Sequence, residues 1–551
     1  MPVTIPPNAG PHGRTRGRIS ASSLTTWMRC PEQWYNRYII GLPSPTTTSQ
    51  ILGILVEDAL CGLLMERMNV SHPKQSRWAL YRQEQNFEPQ DESNLHPREW
   101  IMSKVEHAAS CVISLGKIEW QDSMWKNSEQ DWSDVEHERV CELLRNGLEL
   151  ILEEVEKCHL QDFSEIEFEI PSPCWDEPPR FPLPGKVNSH IDWKATSNPP
   201  SDGLAATWER VRPWVKDPRV HQPQRLYHPG GWASGELDLV LRWDGNIRLV
   251  DIKSGTSDSK FAISLPHQLR FYAWLWESCF ESGVGSAEGW YLGDGERKKI
   301  DIEFDQLEET KRLRTIHESM MSHKIDATLP REVECDGTAA GCHWCTKEIV
   351  EQPPEISIPF HAISDIPRRV VVRGKVSGSW GPMLNHHGES VIGAIIEAGG
   401  KILTIEEVEE GAFPSLHDLE GKEVTIVNAL PGVWRKRSRI YLDAHSELTD
   451  EDVEVTRLGL LRTTANISGV VVGVRRSKGV RLDGVPWNLV ATHLWDGSEV
   501  VELIAWGSSI NNTILSITPG DRLDVLSAEL GWRSGLPQLR IDSRSTRLTK
   551  H

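Results

Sequence analysis

Asp238, Asp251 and Lys253 have the types and spacing that metal-assisted phosphodiester hydrolysis needs. They lie in GELD (Gly235 to Asp238) and VDIKSG (Val250 to Gly255). Such chemistry requires a hard divalent cation held by oxygens and a group that orients water or steadies developing charge. Asp251 and Lys253 flank one residue, so on a strand both face the same side. The Asp244-Gly245-Asn246 turn between two apolar alternations predicts a hairpin that sets Asp238 beside Asp251, where two carboxylates could share one Mg²⁺ or Mn²⁺. An isolated D-x-K is common and can be the solvent face of an ordinary hairpin. Here the upstream acid and its G-x-x-D turn add to the pattern, as do Gln268 and Tyr272, at i and i+4 of HQLRFYAW.

A second group of residues carries thiols. Cys335, Cys342 and Cys345 stand in CDGTAAGCHWC, and Cys30 lies some three hundred positions earlier in RCPEQWYNRYI. C-x6-C-x2-C with a remote fourth thiolate suits either zinc or an iron–sulfur cluster. His343 is read as a spacer. A ligand set of this kind would tie the first helix to the end of the domain and contribute folding energy. The other cysteines are scattered and read as buried thiols.

The elements that position these residues follow from periodicity. SASSLTTWMRCPEQWYNRYIIG predicts a helix capped by Ser20 or Ser22, and SQILGILVEDALCGLLMERM (49–68) a buried one. Residues 75–160 read as a helical insertion, DFSEIEFEIP (162–171) as a strand, and the proline-rich 172–230 as irregular. HQLRFYAWLWESCF predicts a helix, followed by the strand AEGWYL and a charged helix over 306–321. Residues 1–18 read as a flexible basic tail, 19–350 as one domain and 351–363 as a linker. Beyond the linker, short alternating strands and glycine turns repeat over 364–448 and again over 462–551. That cadence predicts two OB-like five-stranded barrels, with a generic β-sandwich as the alternative.

The G-x-x-D, D-x-K and Q-x-x-x-Y series, with a cysteine on the entry helix and three late cysteines, resembles the RecB-like nucleases of the PD-(D/E)xK superfamily. It is similar in particular to their iron–sulfur branch: the AddB subunits, the nuclease of the eukaryotic replication helicase-nuclease and the CRISPR adaptation nucleases. The resemblance covers roughly residues 18–350, with 75–160 and 172–230 outside its core, and implies a restriction-endonuclease-like α/β fold. It implies metal ligation by Asp238 and Asp251, a catalytic role for Lys253, and support of the DNA side of the site by Gln268 and Tyr272. It also implies a [4Fe–4S] cluster on Cys30, Cys335, Cys342 and Cys345, with zinc as the alternative. Family members place a metal-binding histidine four residues after a glycine on the first core helix. Here Gly53 is followed at that distance by Glu57, an acceptable ligand for Mg²⁺ or Mn²⁺. Glu169 is a further acid whose plain reading is surface.

The chain of 551 residues carries a net charge of −19, which argues against a uniformly nucleic-acid-coated surface but not against a local basic groove. Arg29 and Arg37 with Trp34, Tyr35 and Tyr38 mix cations with aromatic rings near Cys30, as single-strand binding requires; the competing reading places Trp34 and Tyr38 in the core and the arginines at the surface. Trp434, Arg435, Lys436 and Arg437 form a basic tip in the first barrel, and Arg475, Arg476 and Lys478 another in the second. Residues 461–551 hold eleven Lys or Arg against eight Asp or Glu. No G-x-x-x-x-G-K-[ST] occurs, so no P-loop motor is expected in the chain and a helicase partner is an open expectation. No apolar run long enough for a membrane span is present, and no secretory signal is read at the start, so a cytoplasmic or nucleoid-associated protein is expected. The function expected is a DNase in replication, recombination or repair, preferring single-stranded or branched DNA, exonucleolytic rather than endonucleolytic. The alternatives are a non-catalytic DNA-binding scaffold, favoured by glutamate at position 57, and a zinc-stapled RNA nuclease.

Overall fold

The computed structural model describes residues 18–64, 96–160 and, with short gaps, 207–322 and 355–551. The described residues divide into two compact units, one within 45–313 with 19–25, and one within 314–551 with 26–44. The stretch that carries Cys30 therefore groups with the C-terminal barrels.

The first unit centres on a five-stranded sheet ordered β1 (Trp214–Val215), β2 (Leu239–Leu241), β3 (Arg248–Lys253), β4 (Ser286–Tyr291) and β5 (Glu296–Ile300). β2 and β3 form the hairpin expected from the sequence, with Gly245 at φ +79 in its turn. β3 and β4 are parallel, so the chain must cross over between them, and Leu265–Phe280 does so as a helix. Thr48–Leu64 (α1), Val105–Asp122 (α2) and His137–His159 (α3) cover the sheet; the crossover helix is α4 and Gln306–Ser322 is α5. A two-stranded ribbon, Leu226–Tyr227 with Ser234–Gly235, precedes the hairpin.

The helical character expected of 75–160 is seen from Pro97 onward, but not its peripheral place. Ala108 and Val112 of α2, and Leu144, Leu148 and Ile151 of α3, share one buried cluster with Leu60 of α1 and with Leu239, Val250 and Trp290 of the sheet. These helices are thus core. The expected strand at 162–171, with Glu169, lies outside the described residues.

One buried acid fastens the helices to the sheet. Glu154 on α3 is fully buried and accepts from Trp243 Nε1 at 3.0 Å, Arg248 Nη2 at 2.6 Å and Lys157 Nζ at 3.0 Å, and it also pairs with Arg297. Burial alone would raise its carboxyl pKa, but the hydrogen bonds from Arg248 and Arg297 outweigh that and lower it from 4.5 to about 2.

The second unit contains two closed barrels. In the first, β6 (Val370–Leu384), β7 (Ser390–Ala398) and β8 (Lys401–Glu407) pair antiparallel in succession. β8 then runs parallel to β10 (Arg437–Leu442), which pairs with β9 (Glu423–Trp434), and β9 returns to β6. The second repeats this order with β11 (Thr464–Val480), β12 (Pro486–Trp495), β13 (Val500–Trp506), β14 (Arg522–Arg533) and β15 (Leu536–Arg540). The circuit 1-2-3-5-4-1, with its one parallel pair, is that of the OB-fold. Both fourth strands carry a positive-φ non-glycine residue, Asn428 at 62° and Ser527 at 56°. Among the described residues, no helix is long and apolar enough to cross a membrane.

Because Glu154 has a folded pKa below its unfolded value, its contribution is present above about pH 4.5 and is lost as pH falls towards about 2. The shift corresponds to about 3 kcal/mol. Glu154→Gln leaves Arg248 and Arg297 without their shared counter-charge, and we expect a loss of about 3 to 5 kcal/mol at pH 7. Denaturant unfolding of the two proteins at pH 7 and pH 3 checks this: the gap between them should narrow at the lower pH.

Candidate active site

The site lies where the β2–β3 hairpin, α1 and α4 converge. Asp238 precedes β2 by one residue, and its carboxylate accepts the Ile252 N–H of β3 at 2.9 Å. That bond crosses the hairpin and locks the acid beside Asp251, which is buried at 5% exposure. Strand alternation puts Lys253 on the same side, and its ammonium pairs with Asp251 Oδ2 at 2.5 Å. Gln268, on the first turn of α4, accepts from Lys253 Nζ at 3.2 Å, and its amide nitrogen lies 3.4 Å from Ser264 Oγ. The lysine is therefore held from two sides.

Two glycines permit the convergence. A Cβ on Gly53 would come within 3.1 Å of Ser254 Oγ, so α1 crosses the end of β3 closely there, and Glu57 follows one turn later. A Cβ on Gly235 would meet Leu275 at 2.9 Å and the Tyr272 ring at 3.0 Å. The G-x-x-D glycine thus makes room for the tyrosine of α4.

Electrostatics report how close the acids are. Burial pushes the Asp238 carboxyl well above the usual range; the Glu57 and then the Asp251 charges add to this, while Lys253 and the Ile252 N–H oppose it. Burial of Lys253 alone would lower its pKa, but the Asp251 and Asp238 carboxylates outweigh it, so the ammonium stays charged. Tyr272 is pushed well above its usual value by burial and then by Asp251, Asp238, Glu236 and Glu57, which keeps its phenol neutral. Three carboxylates against one ammonium form a hard-oxygen donor set with excess negative charge. The donor set fits a hard divalent cation on Glu57, Asp238 and Asp251.

Two contributors were missed in the sequence. Glu236 lies close enough for its charge to act on Tyr272, and its place two residues before Asp238, on the same face under strand alternation, is the signal in GELD that could have found it. Tyr291 of β4 pairs in register with Lys253 and is buried; burial raises its pKa, and Lys253 acts against this. A parallel neighbour reached through a crossover leaves no local signal in the sequence.

The thiols are less completely placed. Cys30 is half-buried and caps the Pro31–Trp34 helical turn, its Sγ accepting the Gln33 N–H at 3.4 Å. Cys335, Cys342 and Cys345 lie outside the described residues.

Among the expected nucleic-acid contacts, Tyr35 is corrected. It is only 7% exposed and hydrogen-bonded to Arg368, so its ring is core and offers no stacking face. Arg29 and Arg37 are exposed; the first holds Gln33 Oε1 at 2.7 Å and the second lies over the Tyr38 ring. Trp434 is 48% exposed with Arg439 against its ring. Arg437 is exposed beside it, and Lys436, at φ 63, reaches Asp542 at 3.4 Å. Arg435 falls outside the described residues. On β11, Arg475 and Lys478 are exposed and Arg476 is half-buried.

Of three comparisons with known proteins, one bears on the core. Among solved structures, a murine DNA-binding protein bound with double-stranded DNA aligns at 11% identity over 33% of this chain and 95% of its own, with a TM-score of 0.13. A replication protein A heterotrimer bound to single-stranded DNA aligns at 14% identity over 36% and 52%, TM-score 0.15. The Ifi202 HINa domain with a 20-bp duplex aligns at 13% over 33% and 94%, TM-score 0.12. At these scores the likenesses add nothing to the barrel topology read from the strands. No curated protein matches. The sequence model of the PD-(D/E)XK nuclease superfamily, however, matches residues 18–161 and 191–349, more than half of the chain and every residue of the carboxylate–lysine site. With Asp238, Asp251 and Lys253 gathered on one hairpin inside that span, the chain belongs to the PD-(D/E)XK nuclease superfamily.

Proposed function

We propose that this chain is a divalent-metal-dependent deoxyribonuclease whose barrels hold single-stranded DNA. The observation that carries the reading is the Asp251–Lys253 pair on one strand, 2.5 Å apart, with Asp238 tied to the same strand. Glu57, Asp238 and Asp251 would hold Mg²⁺ or Mn²⁺, which when bound supplies Lewis-acid polarisation of the phosphate and lowers the pKa of water. Lys253 donates to the non-bridging oxygen or to the attacking water, stabilising charge as it develops. Gln268 fixes the ammonium's direction through its 3.2 Å bond, and Tyr272 offers a neutral hydroxyl beside the acids. Exonucleolytic action and service to a helicase partner in replication, recombination or repair complete the reading.

Asp251→Ala and Lys253→Ala should each lower single-turnover cleavage of end-labelled single-stranded DNA by about two to three orders of magnitude, within the range known for removal of one charge-stabilising group. DNA affinity at low salt should change little. Near-normal rates in either variant would misplace the active site.

The staple is proposed as [4Fe–4S] on Cys30, Cys335, Cys342 and Cys345, supported by the spacing of the thiols and by Cys30 at a helix start. Anaerobically purified protein should be brown and contain about four iron and four sulfide per chain, as such a cluster requires; Cys30→Ser should lose both. Stoichiometric zinc without sulfide would replace the cluster with a structural zinc site.

Strand binding by the barrels is supported by exposed Trp434 beside Arg437, and by Arg475 and Lys478 on β11. Stacking is worth about 1 to 3 kcal/mol per base, and phosphate contacts release counterions. Trp434→Ala in the full chain should weaken single-strand binding by about tenfold or more and reduce the preference over duplex. Unchanged affinity would assign this tip to another partner.

A further inference from the structure

Away from the carboxylate–lysine site, the N-terminal parts of α2 and α3 bring together three different metal-binding side chains. Cys141 Sγ lies 3.6 Å from His137 Nδ1 and 3.6 Å from Glu106 Oε1, and His137 Nδ1 is 3.9 Å from Glu106 Oε2. In a tetrahedral zinc site with Zn–S about 2.3 Å and Zn–N or Zn–O about 2.0 to 2.1 Å, neighbouring ligand atoms are separated by roughly 3.3 to 3.6 Å. The sulfur–nitrogen separation already matches one edge of such a tetrahedron, and Glu106 flanks that edge, with Oε1 towards Cys141 and Oε2 towards His137. His137 and Cys141 reach it from one helix at i and i+4, and Glu106 from the other.

The surrounding hydrogen bonds orient the imidazole and the carboxylate. Ser110 Oγ donates to the Glu106 carbonyl at 2.9 Å, so towards His137 Nε2, 3.2 Å away, it acts as acceptor. The proton of the neutral ring then sits on Nε2, and Nδ1 presents its lone pair to Cys141 and Glu106. Arg145 Nη2 holds Glu106 Oε1 at 3.2 Å while its Nη1 pairs with Glu138, which orients the carboxylate and leaves Oε2 towards the imidazole. Cys141 is buried, whereas Glu106 and His137 are exposed, so the fourth position of the tetrahedron faces water.

We propose that Glu106, His137 and Cys141 form a zinc site that clasps α2 to α3, distinct in place and chemistry from the carboxylate–lysine site. A sulfur, an imidazole nitrogen and one carboxylate suit Zn²⁺ and disfavour Mg²⁺. On binding, the Cys141 thiol releases its proton to solvent and the thiolate becomes the ligand. One thiolate and one carboxylate then balance the dication.

Equilibrium dialysis of the full-length protein against Zn²⁺ tests this, with His137→Ala, Cys141→Ser and Ser110→Ala compared with wild type and folding checked by circular dichroism. His137 is exposed, so its substitution tests the site even if Cys141→Ser disturbs packing. The expected result is one zinc equivalent fewer in His137→Ala and Cys141→Ser, with the cysteines of the staple unaltered. Ser110→Ala should keep the stoichiometry but weaken this equivalent about 10- to 100-fold, as loss of a supporting hydrogen bond does. Equal stoichiometry and affinity in wild type and His137→Ala overturns the site, as does displacement of this equivalent by millimolar-range Mg²⁺.

Discussion

Carboxylates that repel one another must be held together in a partly dry pocket, and the nuclease unit is organised around meeting that constraint. Two unit charges 4 Å apart interact by about 1 kcal/mol in water and about 4 kcal/mol near a protein surface. Glu57 and Asp251 both act on Asp238, with Lys253 as the opposing charge. Covalent neighbours do part of the holding, since Asp251 and Lys253 are two residues apart on one strand. The Ile252 N–H does another part by binding Asp238 across the hairpin. Close backbone approach does the rest: at Gly53 and Gly235 there is no room for a Cβ without displacing Ser254 or Tyr272.

β3 joins this site to the scaffold. Its first residue, Arg248, binds the fully buried Glu154 of α3, and its last, Lys253, binds Asp251. The ion pair to α3 at one end and the Lys253 hydrogen bond to Gln268 of α4 at the other hold the strand to two helices. Arg297 of β5 joins the same acid, so one carboxylate couples a helix to two strands of the sheet. Burying a charge is costly unless it is fully paired, and Glu154 is satisfied by a tryptophan, a lysine and two arginines.

The features readable in the sequence were those whose physics is local. D-x-K alternation, the Asp-Gly turn and i, i+4 spacing each depend on neighbours a few residues away, and Asp251, Lys253, Gly245, Gln268 and Tyr272 stand in the elements those patterns predict. The barrels were legible because their strand order repeats. What failed depended on distant partners. The apolar stripes of α2 and α3 say that something is buried but not against what, so core helices passed for an insertion. Tyr35 reads like a stacking residue until Arg368, more than three hundred positions away, takes its hydroxyl. Tyr291 enters the site only through a parallel strand pairing that leaves no local trace.

The central claim is that Glu57, Asp238 and Asp251 form one divalent-cation site in which Lys253 acts on the substrate and not on the ion. Mn²⁺ binding to the full-length protein, followed by electron paramagnetic resonance, tests it most directly. Asp238→Asn should weaken the tightest Mn²⁺ equivalent by about tenfold or more, since each 1.4 kcal/mol of lost attraction is a factor of ten. Lys253→Met should bind Mn²⁺ at least as tightly as wild type, because the competing ammonium is gone. Wild-type Mn²⁺ affinity in Asp238→Asn, or a loss of the ion in Lys253→Met, would contradict the account.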